Sequence, residues 1–401
     1  MNFDLLPAKP DYTGCSIVNL MTSIKGHYVA GDSVYAQLND FPAENLDGVK
    51  RLILLVVDGL GADLLATFSA ATDDRFQQHA VTRMTSVYPP TTATAITTFM
   101  SGQAPQQHAL TGWHMNFREI GATAAVLPFI SRFGKRSLSE QGVDINRLVD
   151  CESFSDAVPV AAHLLLPHDI ANSDFSRRLG GSAKRHSFNG LDDFADKLVA
   201  FASDTNEPAY LYAYWSEFDH LAHRYGPSHQ RVFEHFVELQ RRLSVTLNQI
   251  ADPETAILIT ADHGFLDSGP AECVQLSSHP ALADMLAMPL FGEPRSAYCI
   301  VRSGCESEFE SYVVSELSDY LTAIPSRTLV EKNWFGLGEP HRELGSRLGD
   351  YTLQMKDRYT IRDQLVSEHA FDLYGMHGGV TAAELWVPLL YFGGNAESVE
   401  F

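Results

Sequence analysis

Three short runs of this chain are hydrophobic throughout rather than alternating. They lie at 51–57 (RLILLVV), 208–215 (PAYLYAYW) and 255–260 (TAILIT). Unbroken apolar runs of this length predict strands covered on both faces. A fourth run, 385–392 (LWVPLLYF), predicts a late strand that returns to the same sheet. Helical patterning falls between the runs. The turn Pro89-Pro90-Thr91-Thr92 opens a helix predicted over 94–101, and 229–250 has helical periodicity and good helix formers. Strands alternating with helices predict a three-layer α/β/α sandwich around a mostly parallel central sheet. Two stretches, 113–190 and 266–370, fit this rhythm poorly and are rich in Pro, Gly and aromatic residues. They are expected to be insertions that wall a pocket. The organisation expected is a single domain over 1–401 with an inserted cap at about 266–370.

Open sheets of this kind bind ligands at the carboxyl ends of their strands. Each buried run ends in an acidic residue. Asp58-Gly59 follows the first, Ser216-Glu217-Phe218-Asp219 the second and Ala261-Asp262-His263-Gly264 the third. Asp58, Asp219 and Asp262 are therefore expected to converge on one sheet edge. Asp219 and His223 are four residues apart, which on a helix puts both on one face where they can chelate one metal. His220 lies off that face. Asp262 and His263 are adjacent, so the chain must turn for both to reach one ion, and Gly264 permits this. His377 sits among glycines ahead of the last strand. Thr92 falls where the turn enters its helix, so a hydroxyl and free backbone N–H groups could face an anion together. Thr91 and Thr94 are its rivals. Asp58, Thr92, Asp219, His223, Asp262, His263 and His377 together make seven candidate metal-binding groups, a constellation suited to in-line transfer of a phosphoryl or sulfuryl group.

Composition changes this picture little. The 401 residues are 45% hydrophobic and 20% charged, as in an ordinary globular protein that can bury a large core. Fifty acidic against 29 basic residues give a net charge of −21, which argues against nucleic acid or an anionic membrane as a partner. An anionic substrate must then be drawn in by local charge, which bound cations could supply. The five cysteines are scattered with no C-x-x-C pair, so neither a disulfide framework nor a thiolate zinc site is indicated. No signal peptide is visible at the N-terminus and no segment reaches bilayer-spanning length, so a cytoplasmic location is expected. A homo-oligomer is left open.

Taken in order, these residues resemble the alkaline phosphatase superfamily, and within it the nucleotide pyrophosphatase/phosphodiesterase branch. There a stretch of the form F-P-T-x-T-F-P-N-H-Y-x-x-x-T-G carries the nucleophile at its second threonine. Residues 88–102, YPPTTATAITTFMSG, match its length without a gap and land on Thr92. The branch's D-x-x-x-H motif corresponds to Asp219 and His223, its S-D-H-G motif to Ala261-Asp262-His263-Gly264, and its G-x-H-G motif to Gly375-Met376-His377-Gly378. The resemblance implies an alkaline-phosphatase-like fold with two divalent metal ions. Asp58, Thr92, Asp262 and His263 would surround one, and Asp219, His223 and His377 the other. The mixed carboxylate and imidazole set suits Zn²⁺, with Mn²⁺ or Fe²⁺ as alternatives.

Two positions depart from the branch. Its bulky Phe after the nucleophile is Ala93 here, and its phosphate-binding Asn is Ala95. Candidate contacts in their place are Trp113, His114, Arg118, Tyr214 and Trp215. The expected activity is metal-dependent hydrolysis of phosphate diesters or nucleotide pyrophosphates through a phospho-threonine intermediate, with a small phosphate ester as substrate. A phosphomonoesterase or a phosphonoacetate-type phosphonate hydrolase could use the same site. A non-catalytic binding module is a third reading. A sulfatase is disfavoured, because those enzymes make formylglycine from Cys or Ser and position 92 is Thr.

Overall fold

The computed structural model describes residues 8–72, 76–204, 207–250, 252–366, 368 and 372–393. Its centre is a seven-stranded sheet. The order across it is Ala80–Thr85, Trp386–Gly393, Thr255–Thr260, Arg51–Val57, Ala209–Trp215, Ala161–Pro167, Lys184–Phe188. The three predicted runs are neighbours in the middle, and every residue of the strands they form, Arg51–Val57, Ala209–Trp215 and Thr255–Thr260, is buried. They pair in parallel, whereas Trp386–Gly393 runs antiparallel to both of its neighbours. The late apolar run therefore does return to this sheet, in the opposite direction.

Register explains why the acidic residues meet. Val57 pairs with Trp215, and Val56 with Thr260. One or two residues further on, Asp58, Ser216 and Asp262 leave the sheet side by side at its carboxyl edge. The Asp58 N–H still donates to the Trp215 carbonyl at 2.9 Å, so that strand stays paired up to the aspartate.

The helices follow from their spacing. Gln230–Ile250 buries Val232, Phe236, Leu239, Leu243, Thr246 and Ile250, a stripe repeating every three or four residues. Thr92–Ser101 is buried along its whole length although half of it is Thr or Ser. Its hydroxyls turn back on the helix: Thr97 Oγ1 donates to the Ala93 carbonyl at 2.6 Å, and Ser101 Oγ to that of Thr97 at 2.6 Å. Gly102, with φ of 70°, ends the helix in the left-handed conformation.

A second sheet, antiparallel throughout, stands beside the first. Its order is Leu321–Pro325, Tyr351–Met355, Ser296–Cys299, Phe291–Glu293, His114–Phe117, Ala122–Ala125, Ile130–Ser131. The reading of 113–190 as one insertion is corrected here. Its first part joins the second sheet, while Ala161–Pro167 and Lys184–Phe188 are strands of the central sheet. Those two strands have weak hydrophobic signatures: the first begins Ala-Ala-His, with small side chains and a half-buried histidine, and the second reads Lys-Arg-His-Ser-Phe at a sheet edge. The second sheet has a core of its own, including Leu282, Phe309, Leu317 and Leu353. A smaller cluster of Tyr88, Phe291, Tyr298, Trp334 and Phe335 joins this sheet to the turn ahead of Thr92. Among the described residues, no helix is long and apolar enough to cross a membrane.

Candidate active site

All seven sequence-nominated residues lie together at the carboxyl edge of the central sheet. Asp58, Asp262, His263 and His377 are buried, Thr92 is 9% exposed, and Asp219 and His223 are half-buried at the open side. Asp219 and His223 share a face of the helix Glu217–Tyr225, with His223 Nε2 3.5 Å from Asp219 Oδ1, whereas His220 points to solvent. Thr92 Oγ1 faces His263 Nε2 at 3.2 Å. Its rivals are placed differently: the Thr91 hydroxyl donates to Glu293 Oε1 at 2.7 Å, and Thr94 Oγ1 is buried without a hydrogen-bond partner among the described residues.

The ligand atoms form two groups that share a member. Asp58, Asp262 and His263 place one ligand atom each within 4.8 Å of one another, and so do Asp219, His263 and His377. His223 adjoins the second group, its Nε2 3.1 Å from that of His377. His263 and His377 stack with ring centroids 3.7 Å apart. His263 thus lies within reach of both groups.

Hydrogen bonding sets the chemistry of each donor. His223 Nδ1 lies 2.8 Å from the Gly375 carbonyl, His263 Nδ1 3.1 Å from that of Gly264, and His377 Nδ1 3.3 Å from that of Pro90. A carbonyl oxygen only accepts, so Nδ1 carries the proton in each ring and the Nε2 lone pair faces the site. Backbone carbonyls holding ligand imidazoles in this way are typical of metal centres. The carboxylates are arranged likewise. Asp262 Oδ1 accepts from the N–H groups of Gly59 and His263, both at 3.0 Å, and Asp58 Oδ2 accepts from the Tyr214 hydroxyl. Asp58 Oδ1, Asp219 Oδ1 and Asp262 Oδ2 are buried and accept no hydrogen bond among the described residues.

These atoms fit divalent cations. Two Nε2 lone pairs facing each other at 3.1 Å would repel one another without a cation between them, and His263 Nε2 lies 3.3 and 3.4 Å from the free oxygens of Asp58 and Asp262. Protons do not fill that role on His223 or His377. Burial pushes the His223 imidazole down to about 4 and holds that of His377 well below the usual range. The carboxyls shift the other way. Burial, then the charges of Asp219 and Asp262, raise Asp58 well above the carboxylate range, and burial lifts Asp219 to about 7.

Residues 52–379 match the family described as Type I phosphodiesterase / nucleotide pyrophosphatase, which is most of the chain. The chain belongs to that family. Solved structures agree in fold with this phosphodiesterase-family chain. Murine ectonucleotide pyrophosphatase/phosphodiesterase 5 is 14% identical, with a TM-score of 0.63 over 85% of this chain and 88% of its own. An inactive form of the same murine protein, in complex with AMP, gives 0.64 at 13% identity over 86% and 88%. Phosphonoacetate hydrolase from Sinorhizobium meliloti 1021, in complex with phosphonoformate, gives 0.59 at 16% identity over 86% and 90%. No curated protein matches the chain. The mostly parallel α/β fold and the nucleotide pyrophosphatase/phosphodiesterase branch expected from the motifs both hold.

Three features of this family member were not legible in its sequence. Gly264 does not work through φ freedom as expected. Its Cβ would overlap the Ala383 carbonyl oxygen, so close approach of two loops demands glycine there. Of the proposed replacement contacts, Tyr214 anchors Asp58, whereas Trp215 stacks on Phe188 and His235 in the core and Arg118 pairs with Glu343 on the surface. Burial pushes His114 down to about 4. Glu293, buried beside Thr91, was missed altogether because it comes from the second sheet and no spacing links it to the motifs.

Proposed function

We propose that this family member is a metal-dependent hydrolase of phosphate diesters or nucleotide pyrophosphates that works through a phospho-threonine intermediate on Thr92. The observation that carries the reading is the position of Thr92 Oγ1. It is the threonine hydroxyl that faces the ligand cluster, at the first turn of a buried helix. Asp58, Thr92, Asp262 and His263 would hold one divalent cation, and Asp219, His223 and His377 a second, with Zn²⁺ favoured by the mixed donors. Such cations supply Lewis acidity that lowers the pKa of an attacking hydroxyl and steadies a departing oxygen. Thr92 Oγ1 attacks phosphorus in line, the bond to the leaving oxygen breaks, and water then cleaves the phospho-threonine from the vacated side. Tyr214 keeps Asp58 turned toward the cluster throughout, and the carbonyls of Gly375, Gly264 and Pro90 keep the three Nε2 atoms aimed inward.

A phosphonate substrate is the second reading. It is supported by the likeness to phosphonoacetate hydrolase over nearly the whole chain, and by Ala93 and Ala95 where the branch carries a base-holding Phe and a phosphate-binding Asn. Rates on bis-p-nitrophenyl phosphate, p-nitrophenyl phosphate and phosphonoacetate, after EDTA and then with added zinc or manganese, separate the readings. Diester cleavage restored by metal supports the first, and phosphonoacetate cleavage alone moves the assignment to the second. Thr92→Ala should cost about a thousandfold or more in kcat with metal content retained. A variant that keeps its rate would remove the threonine mechanism.

A further inference from the structure

The hairpin formed by Phe291–Glu293 and Ser296–Cys299 reaches from the second sheet to both sides of the active site. Toward the His377 loop, Ser296 Oγ donates to the Gly378 carbonyl at 2.6 Å. Arg295 pairs with Glu384 at 2.7 Å, and Glu384 accepts the Gly379 N–H at 2.7 Å. Toward the nucleophile, Glu293 Oε1 accepts from the Thr91 hydroxyl at 2.7 Å and from the Trp113 N–H at 2.6 Å. Glu293 is 6% exposed, and its Cβ and Cγ pack against Gly378.

We infer that Glu293 is a positioning residue that holds the Thr91–Thr92 turn for attack through the Thr91 hydroxyl; the inference rests on Thr92 as the nucleophile. Thr91 is the N-cap residue of the nucleophile's helix, with extended backbone angles, φ −143° and ψ 151°. A threonine there ordinarily turns its oxygen onto a first-turn N–H. Here the side chain makes no capping bond, and its hydroxyl is turned to donate to Glu293 instead. Two consequences follow. The side-chain rotamer of Thr91 is tied to a rigid hairpin, which fixes the backbone entering Thr92. The N–H groups of Thr92 and Ala93, which have no partner within a helix, also stay free of a side-chain cap and can face an anionic oxygen. That arrangement supplies backbone donors where the branch's phosphate-binding Asn is replaced by Ala95.

Both bonds end on one oxygen of Glu293, so the role requires an acceptor and not a charge. Glutamine should therefore serve and alanine should not. In the full-length zinc-loaded protein, Glu293→Ala should lower kcat on bis-p-nitrophenyl phosphate roughly 10–100-fold, since small misplacements of a reacting group cost that much. KM and zinc content should hardly move. Glu293→Gln should recover most of the loss. Thr91→Val should match Glu293→Ala, and the double variant Glu293→Ala/Thr91→Val should lose little more than either alone, as expected of one shared interaction. Thr91→Val behaving like the parent protein, or Glu293→Gln falling with Glu293→Ala, would overturn the role. The glutamine and valine variants keep the shape of the originals, so the comparison survives if the alanine variant fails to fold. Orthovanadate affinity, measured by calorimetry on the same set, needs no turnover and should follow the same order. A parent protein that binds vanadate but cleaves no ester defeats the hydrolase reading and leaves the Glu293 role to be decided by vanadate affinity. One that does neither defeats both.

Discussion

At the scale of single residues, the site divides the work between protons and cations. Asp219 is lifted to about 7, so it holds a proton at pH 6 when no cation is bound, and burial with the charges of Asp219 and Asp262 moves Asp58 in the same direction. His223, pushed down to about 4, is already neutral there. A cation entering at pH 6 must displace carboxyl protons and none from that imidazole, so affinity should rise with pH as Asp219 ionises through about pH 7. Calorimetric titration of metal-free protein with zinc, in two buffers of different ionisation enthalpy, should show more protons released at pH 6 than at pH 8. Equal release at the two values would mean that the carboxyls do not titrate as burial dictates. Tyr214 adds a residue-level detail of the same kind. By donating to one oxygen of Asp58 it leaves the other free toward His263, at 3.3 Å.

At the scale of elements, the segments carrying His377 and Asp262-His263 are held by a neighbouring short helix and hairpin. The segment carrying His377 is gripped by Glu384, whose carboxylate takes both the Gly379 N–H and the Arg295 guanidinium. The Glu384 carbonyl accepts the Gly264 N–H at 2.8 Å, so the same short helix, Ala382–Leu385, also steadies the Asp262-His263 turn. Arg295 and Glu384 are both fully buried. Removing one partner of such a pair leaves an uncompensated charge, at a cost of about 3–5 kcal/mol. Arg295→Met should lower stability by that amount in urea unfolding of the metal-free protein. Replacing both partners, as in Arg295→Met/Glu384→Leu, should recover much of the loss. A single variant as stable as the parent would show that the pair is not needed to hold the two loops.

At the scale of the whole molecule, the candidate site joins the central sheet, which carries most of the clustered carboxylates and imidazoles, to an antiparallel sheet whose Glu293 meets the Thr91–Thr92 turn. Three carboxylates and three imidazoles crowd one edge, and cations that bind there should stabilise the folded chain. At a hundredfold excess over its dissociation constant, a ligand specific to the folded state contributes about 2.7 kcal/mol. Thermal unfolding should accordingly move up on adding zinc to EDTA-treated protein, and the shift should shrink in His377→Ala. Unfolding insensitive to zinc, manganese and iron alike would contradict a resident metal centre.

The sequence by itself determined the parts of this protein that local physics controls. Continuous apolar runs at 51–57, 208–215 and 255–260 can only be strands covered on both faces, and the polar residue ending each must sit at a sheet edge. With the turn ahead of Thr92, the glycines around His377 and the family motifs, that was enough to nominate all seven clustered residues and the fold. Tertiary structure alone decided what depends on neighbours distant in the chain. It separated Thr92 from Thr91 and Thr94 by where each hydroxyl points, and it set Glu293, two hundred residues away, against the nucleophile turn. It also split 113–190 between two sheets; the edge strand Lys184–Phe188 buries only Phe188 and leaves a weak hydrophobic signature. A strand's pattern records how much of it is buried, but not against which part of the chain, and that second fact is what arranges an active site.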